Sequence, residues 1–105
     1  MSEEWITVAT LDEIADGEML LVEVGGEEVC LYNLGGSICA TQNVCTHGQA
    51  SLAEGFIEGD CIECPLHQGL FDIRTGKAMK APATENLRVY PVEVSGDDIR
   101  IGVKP

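Results

Sequence analysis

The sequence predicts an all-β protein: antiparallel sheets forming a basal β-sandwich or barrel, with a loop-rich site inserted between Gln42 and Ala83. Three observations predict it. Short β-type runs alternate with glycine-rich turns along most of the 105 residues. Two double glycines, Gly25-Gly26 and Gly35-Gly36, separate runs whose apolar residues fall into hairpin register. The stretch 42–83 breaks this rhythm and holds both histidines and three of the five cysteines, as a rigid scaffold carrying a loop-built site would.

The elements follow in order. Glu4 to Ala9 reads as the first strand. Thr10-Leu11-Asp12-Glu13 has the form of a capping box and starts one helical turn, which Asp16-Gly17 ends. Met19–Val24 and Glu27–Leu34 flank Gly25-Gly26, and two glycines tolerate the positive φ of a two-residue turn. That register sets Leu20 against Leu31 and Val22 against Val29 on one apolar side, and Glu23 against Glu28 on a solvated one. Gly35-Gly36 turns the chain again and pairs Glu28–Leu34 with Ser37–Thr41. Later strands are expected at Cys61–Glu63, Leu70–Arg74, Leu87–Val94 and Ile99–Val103, with turns at Thr75-Gly76 and Ser95-Gly96-Asp97.

One domain over 1–105 is the natural count at this length. Such a domain buries roughly 65% of the surface its unfolded chain exposes, and a hydrophobic content of 45% argues against disorder. The net charge is −12, from 18 acidic and 6 basic residues. A chain this acidic is a poor partner for nucleic acid or anionic membrane, whose phosphates call for Lys and Arg. The charge is also uneven. Residues 1–73 hold 14 acidic residues and no Lys or Arg, whereas all 6 basic residues follow Ile73. A solvated surface explains such a bias, and so does docking to a basic partner. No apolar run reaches the ~18–20 residues of a membrane span, and the N-terminus lacks a secretory signal. A cytoplasmic, monomeric protein with reduced thiols is expected. The odd cysteine count agrees, since a disulfide framework pairs its cysteines.

The chemistry concentrates in Cys45-Thr46-His47 and Cys64-Pro65-Leu66-His67, a C-x-H…C-x2-H pattern with 16 residues between the pairs. Two thiolates and two imidazoles make four soft metal ligands. A structural zinc finger usually puts two Cys in one pair and two His in the other. Mixed pairs suit a [2Fe–2S] cluster with one iron held by two Cys and the other by two His. A Cys2His2 zinc site and unligated core residues are the alternatives.

Cys45-Thr46-His47-Gly48, Glu54-Gly55, Glu58-Gly59 and Glu63-Cys64-Pro65-Leu66-His67-Gln68-Gly69 together carry a resemblance. Phe71-Asp72, Thr75-Gly76-Lys77-Ala78 and Ala81-Pro82 extend it over essentially the whole chain. The sequence resembles the Rieske-type [2Fe–2S] ferredoxins of bacterial aromatic-ring-hydroxylating dioxygenase systems. The resemblance implies the Rieske iron–sulfur fold, with a cluster-binding subdomain at about 42–83. It implies that Cys45 and Cys64 bind the buried iron, that His47 and His67 bind the outer one, and that Pro82 lies in a loop closing over the cluster. It further implies a soluble one-electron carrier and not an enzyme. Such a carrier takes electrons from a flavoprotein NAD(P)H reductase and gives them to a terminal dioxygenase that hydroxylates an aromatic compound. The alternative is an electron-transfer subunit of another oxidoreductase, such as a nitrite reductase.

Two thiolates and two neutral imidazoles leave the oxidised cluster neutral, where four thiolates would make it 2−, so the potential rises above that of an all-Cys site. The departures from high-potential members work the other way. Where those have a second pair of cysteines, this chain has Ala50 and Leu66. Where they have a Ser and a Tyr whose hydroxyls bond cluster sulfur and a Cys ligand, it has Gly69 and Phe71. A potential at the low end of the range follows, on the order of −150 mV.

Val44–Ala53 and Cys64–Phe71 contain no Asp, Glu, Lys or Arg, while Glu54, Glu58, Asp60, Glu63 and Asp72 flank them. An uncharged centre with a polar rim suits a protein contact, and glycine-rich loop tips alone would give the same pattern. Cys30, Cys39 and Cys61 fall in expected strands, where Cys behaves as a small hydrophobe. Cys30 and Cys39 are diagonal neighbours in the second hairpin, too far apart for an easy disulfide. No phosphate-binding loop, dinucleotide fingerprint or Ser-His-Asp arrangement is present.

Overall fold

The computed structural model describes residues 4–45, 50–65, 69–80 and 85–103. Eleven strands lie among them: β1 (Glu4–Thr10), β2 (Met19–Val24), β3 (Glu27–Leu34), β4 (Ser37–Gln42), β5 (Phe56–Glu58), β6 (Cys61–Glu63), β7 (Leu70–Asp72), β8 (Ala78–Lys80), β9 (Val89–Tyr90), β10 (Val92–Ser95) and β11 (Asp98–Val103). They form three antiparallel sheets, ordered β1-β11-β10, β2-β3-β4-β9 and β5-β6-β7-β8. Two short 3-10 turns, Leu11–Glu13 and Leu52–Glu54, are the helical pieces among the described residues.

Both hairpins take the expected register. Leu20 pairs with Leu31, Val22 with Val29 and Glu23 with Glu28. Gly25 and Gly26 turn at φ of 58° and 84°, a conformation that costs a residue with a Cβ about 1–2 kcal/mol. At the end of β1, the Thr10 N–H donates to the Glu13 carboxylate at 2.8 Å, the reciprocal half of the predicted box.

β3 is buried on both faces, and its alternation builds two cores. Val29 and Leu31 enter a basal core with Ala9, Ile14, Ala40, Ile99 and Ile101. Cys30 and Tyr32 enter a second core with Cys45, Leu52, Ile62, Cys64, Phe71, Ile73 and Leu87. Each large apolar side chain so buried contributes roughly 1.5–3 kcal/mol. The Tyr32 hydroxyl meets the Thr41 hydroxyl across the hairpin at 2.8 Å, and Thr41 donates onward to the Gln42 carbonyl.

The stretch 42–83 is more ordered than its composition suggests. It contains the whole β5-β6-β7-β8 sheet, whose strands are three residues each. Ile57, Ile62, Phe71 and Ala78 face the second core from consecutive strands. Two expected strands are shorter than read. The run Leu87–Val94 splits at Pro91, which has no N–H for a ladder. Leu70–Arg74 stops at Asp72, whose carboxylate accepts the N–H groups of Arg74 and Thr75 at 2.9 and 3.0 Å and turns the chain.

Candidate metal centre

Two loops rise from the second core. Cys45 lies just past β4 and Cys64 directly past β6. The Cys45 N–H donates to the Ala50 carbonyl at 2.9 Å, and the Cys64 N–H donates to the Gly69 carbonyl at 2.8 Å. Each bond spans five residues, so the two loops are closed alike. His47 falls inside the first and His67 inside the second. Both histidines, with Leu66 and Pro82, lie outside the described residues.

Cys45 and Cys64 are 4% and 1% exposed and belong to the same core. Neither is in a disulfide. Two buried cysteines that share a core without a disulfide, each at the root of a loop whose sequence carries a histidine, fit a soft metal group. The described residues thus supply the cysteine half of the expected donor set. Among them no group of three His, Cys, Asp or Glu gathers that could hold a metal.

The loop roots are fixed from several sides. A bridge pairs Val44 with Ser51, and Asn43, fully buried, bonds the turn beyond it. Gly55 packs flush against β6: a Cβ there would lie 2.2 Å from the Glu63 carbonyl and 3.2 Å from the Pro65 ring. On the far side, the Leu87 N–H donates to the Gly76 carbonyl at 2.7 Å, and the Asn86 carboxamide accepts the Ala78 N–H at 2.9 Å. These bonds hold both ends of the segment that contains Pro82. Sequence reasoning singled out neither Asn43 nor Leu87. Their spacing from the motif resembles that of any loop residue, and their partners are remote in sequence.

The other three cysteines lie on strands β3, β4 and β6, Cys30 in the same core as Cys45 and Cys64 and Cys39 packed against it. Cys30 pairs with Thr41 and Cys39 with Tyr32, which makes the two cysteines diagonal as read. Burial pushes the Cys30 thiol up to about 12, and burial likewise raises Tyr32. Cys39 and Cys61, both half-buried, are raised as well. Desolvation leads in each; Asp72, Asp60 and Glu58 add to it at Cys61, whereas Arg74 offsets it at Cys39.

The register sorts the flanking acids. Phe56, Glu63 and Leu70 form one row across the outer face of the small sheet, which continues to the exposed Lys80 on β8, and Glu58, Cys61 and Asp72 form the next. Phe56 is 64% exposed, so this face is acidic with an aromatic at its edge strand. Asp60 bridges to Arg74 at 3.8 Å, and Asp72 serves the turn, which leaves Glu54, Glu58 and Glu63 as the rim charges without such a structural contact described.

Residues 4–91 match the Rieske [2Fe-2S] domain family. The chain belongs to that family. Within it, the Rieske chain is 50% identical over 101 residues to the ferredoxin component of a naphthalene 1,2-dioxygenase system of Pseudomonas aeruginosa, covering 96% of this chain and 97% of the relative. The ferredoxin of carbazole 1,9a-dioxygenase from Nocardioides aromaticivorans IC177 superposes with a TM-score of 0.90 at 37% identity, covering 99% of this chain and 100% of the other. A second solved chain, at TM-score 0.89 and 37% identity, covers 95% of this Rieske chain and 94% of its own length. It comes from a complex of reduced oxygenase and oxidised ferredoxin in carbazole 1,9a-dioxygenase. The expected all-β Rieske fold and the kinship with dioxygenase ferredoxins are therefore borne out. Among the described residues, no helix is long and apolar enough to cross a membrane.

Proposed function

We propose that this protein is the one-electron carrier of an aromatic-ring dioxygenase system, with Cys45, His47, Cys64 and His67 holding a Rieske [2Fe–2S] cluster. The observation that carries the reading is the meeting of Cys45 and Cys64 in one buried core at the mouths of two like-closed loops. Bound there, the cluster supplies one reversible electron at a potential set by its ligands and hydrogen bonds. Cys45 and Cys64 would hold the buried iron, and His47 and His67 the outer one. The chain's own residues exclude water: Ile62, Phe71 and Leu87 pack around the two cysteines. The uncharged loop stretches would form the contact face, touching a flavoprotein reductase and a terminal oxygenase in turn. The protein acts as a single domain over 1–105, with its cluster-binding part at about 42–83, as a cytoplasmic monomer.

Anaerobic purification followed by absorption and EPR spectroscopy tests the assignment. A red-brown protein that bleaches with dithionite and gives a two-histidine Rieske EPR signal is expected. A colourless, EPR-silent product after reconstitution with iron and sulfide would refute it. His47→Cys or His67→Cys adds negative charge to the ligand set, so each variant that still assembles a cluster should show a lower potential. An unchanged potential would remove that histidine from the ligand set.

A further inference from the structure

Asn43 lies just past β4, two residues before Cys45, and is completely buried. Buried side-chain amides are costly unless every polar atom is paired, and here all are. Nδ2 donates to the Glu28 carboxylate at 3.1 Å and to the Ser51 hydroxyl at 2.8 Å. Oδ1 accepts the Ala53 N–H at 2.9 Å. The backbone N–H donates to the Glu28 carbonyl at 3.1 Å, and the backbone carbonyl accepts the Leu52 N–H at 2.8 Å. One residue thus ties the start of β3, the end of β4 and the Leu52–Glu54 turn together.

That turn touches both cysteine loops. From Asn43 a ladder runs outward through the Val44–Ser51 bridge to the Cys45–Ala50 bond. In the other direction the turn ends at Gly55, which has no room even for a methyl group against the Glu63 carbonyl and the Pro65 ring on either side of Cys64. Leu52 itself is buried in the core that holds both cysteines. A shift of the turn is therefore passed to both cysteine-bearing backbones.

We propose that Asn43 is a positioning residue that fixes the Cys45 loop relative to the Cys64 loop, and so sets the geometry of the thiolate half of the cluster site. This rests on the assignment of Cys45 and Cys64 as ligands. Asn43 touches no ligand atom; it acts through the Leu52–Glu54 turn. Its polarity can be inverted without changing its size. In Asn43→Asp the carboxylate still accepts from Ala53 and Ser51 but repels Glu28. In the double variant Asn43→Asp/Glu28→Gln the glutamine amide donates to the new carboxylate, so the bonds to residue 28 and Ser51 are restored in reverse and the Ala53 bond is kept.

The test uses the cluster-loaded protein, with iron release to a chelator, EPR g-values of the reduced state and thermal stability measured together. Asn43→Asp should lose iron about tenfold faster or more, the scale of a lost outer-shell partner, with shifted g-values. The double variant should return both toward wild type. Ile101→Val, which trims the basal core, should lower stability with the g-values unmoved. Ser51→Ala removes a single bond and should shift release in the same direction if Asn43→Asp does not fold. Wild-type g-values and release in Asn43→Asp, or no rescue by Glu28→Gln, would overturn the inference. A wild-type protein without a Rieske signal would overturn the ligand assignment first; a normal signal indifferent to Asn43 sinks only this proposal.

Discussion

Phe71 and Cys30 show what single side chains in the second core control. Phe71 is fully buried beside Cys45 and Cys64 and carries no hydroxyl, where high-potential relatives have tyrosine. A donor aimed at the cluster or a cysteine ligand favours the reduced, more negative state. Phe71→Tyr should therefore raise the potential; one charge-assisted bond of about 1.4 kcal/mol corresponds to about 60 mV for a one-electron couple. An unchanged value in a redox titration would place the ring away from the cluster. Cys30 offers a pH test. Its thiol is held at about 12 against 9.0 when unfolded. Below pH 9 both states keep the proton, so the shift adds no pH dependence there. Between pH 9 and 12 the unfolded chain releases a proton that the folded protein retains, and stability falls by about 1.4 kcal/mol per pH unit. Tyr32, also raised by burial, adds to the slope above pH 10. Denaturant midpoints measured from pH 8 to 11 should show this decline, and Cys30→Ala should make it shallower between pH 9 and 10, leaving the smaller share of the raised Cys39 and Cys61 thiols. Alkylation at pH 8 followed by peptide mapping should leave Cys30 unmodified until the protein unfolds.

At the scale of elements, Gly76 links β7 and β8 to the return segment at Leu87. Its φ is 78°, and a Cβ there would stand 2.3 Å from the Leu87 carbonyl. Gly25 has a similar φ of 58° with nothing within 4 Å. Gly25→Ala thus incurs backbone strain alone, about 1–2 kcal/mol. Gly76→Ala incurs the same strain and also displaces Leu87 from the cysteine core, so it should exceed Gly25→Ala by at least about 1 kcal/mol in denaturant unfolding. Equal losses would show that Leu87 yields freely. These two glycines also mark what the sequence made legible. Gly25-Gly26 sits between alternating apolar runs, so pattern and turn chemistry agree and the hairpin register follows residue by residue. The cysteine and histidine pairs were equally readable, because their spacing is local. Strands β5 and β8 were not. Phe56–Glu58 and Ala78–Lys80 are as short as β6 and β7 but are the outer strands of their sheet, half exposed and without the apolar run that marks the two central strands, so their pairing follows from β6 and β7 and not from their own residues. Asn43 was invisible for a similar reason: its amide is satisfied by Glu28 and Ser51, which only the fold brings to it.

For the whole molecule, the uneven charge acquires a direction. The outer face of β5–β7 presents Glu58 and Glu63 beside Phe56, next to the backbone that carries Cys64. The molecule extends 37 × 31 × 20 Å, whereas charges are screened beyond about 8 Å at physiological salt. Acidic residues on the distant sheet therefore add to the total of −12 without being felt strongly by a partner at the cysteine loops. The rim charges beside the Cys64 backbone act at close range, and charges at a rim govern association more than residence. Electron transfer to the oxygenase, followed by stopped-flow absorption at limiting partner concentration, should slow about tenfold or more from low to high ionic strength if the partner's contact face is basic. Glu58→Gln/Glu63→Gln should reduce that salt dependence. It should leave stability within about 0.5 kcal/mol, because neither carboxylate has a described structural contact and the substitutions are at or near the surface. Glu4→Gln, on β1 in another sheet, removes one charge with little effect on the rate. A rate flat across ionic strength would rule out steering, and equal effects of Glu4→Gln and Glu63→Gln would assign it to net charge instead of to the rim.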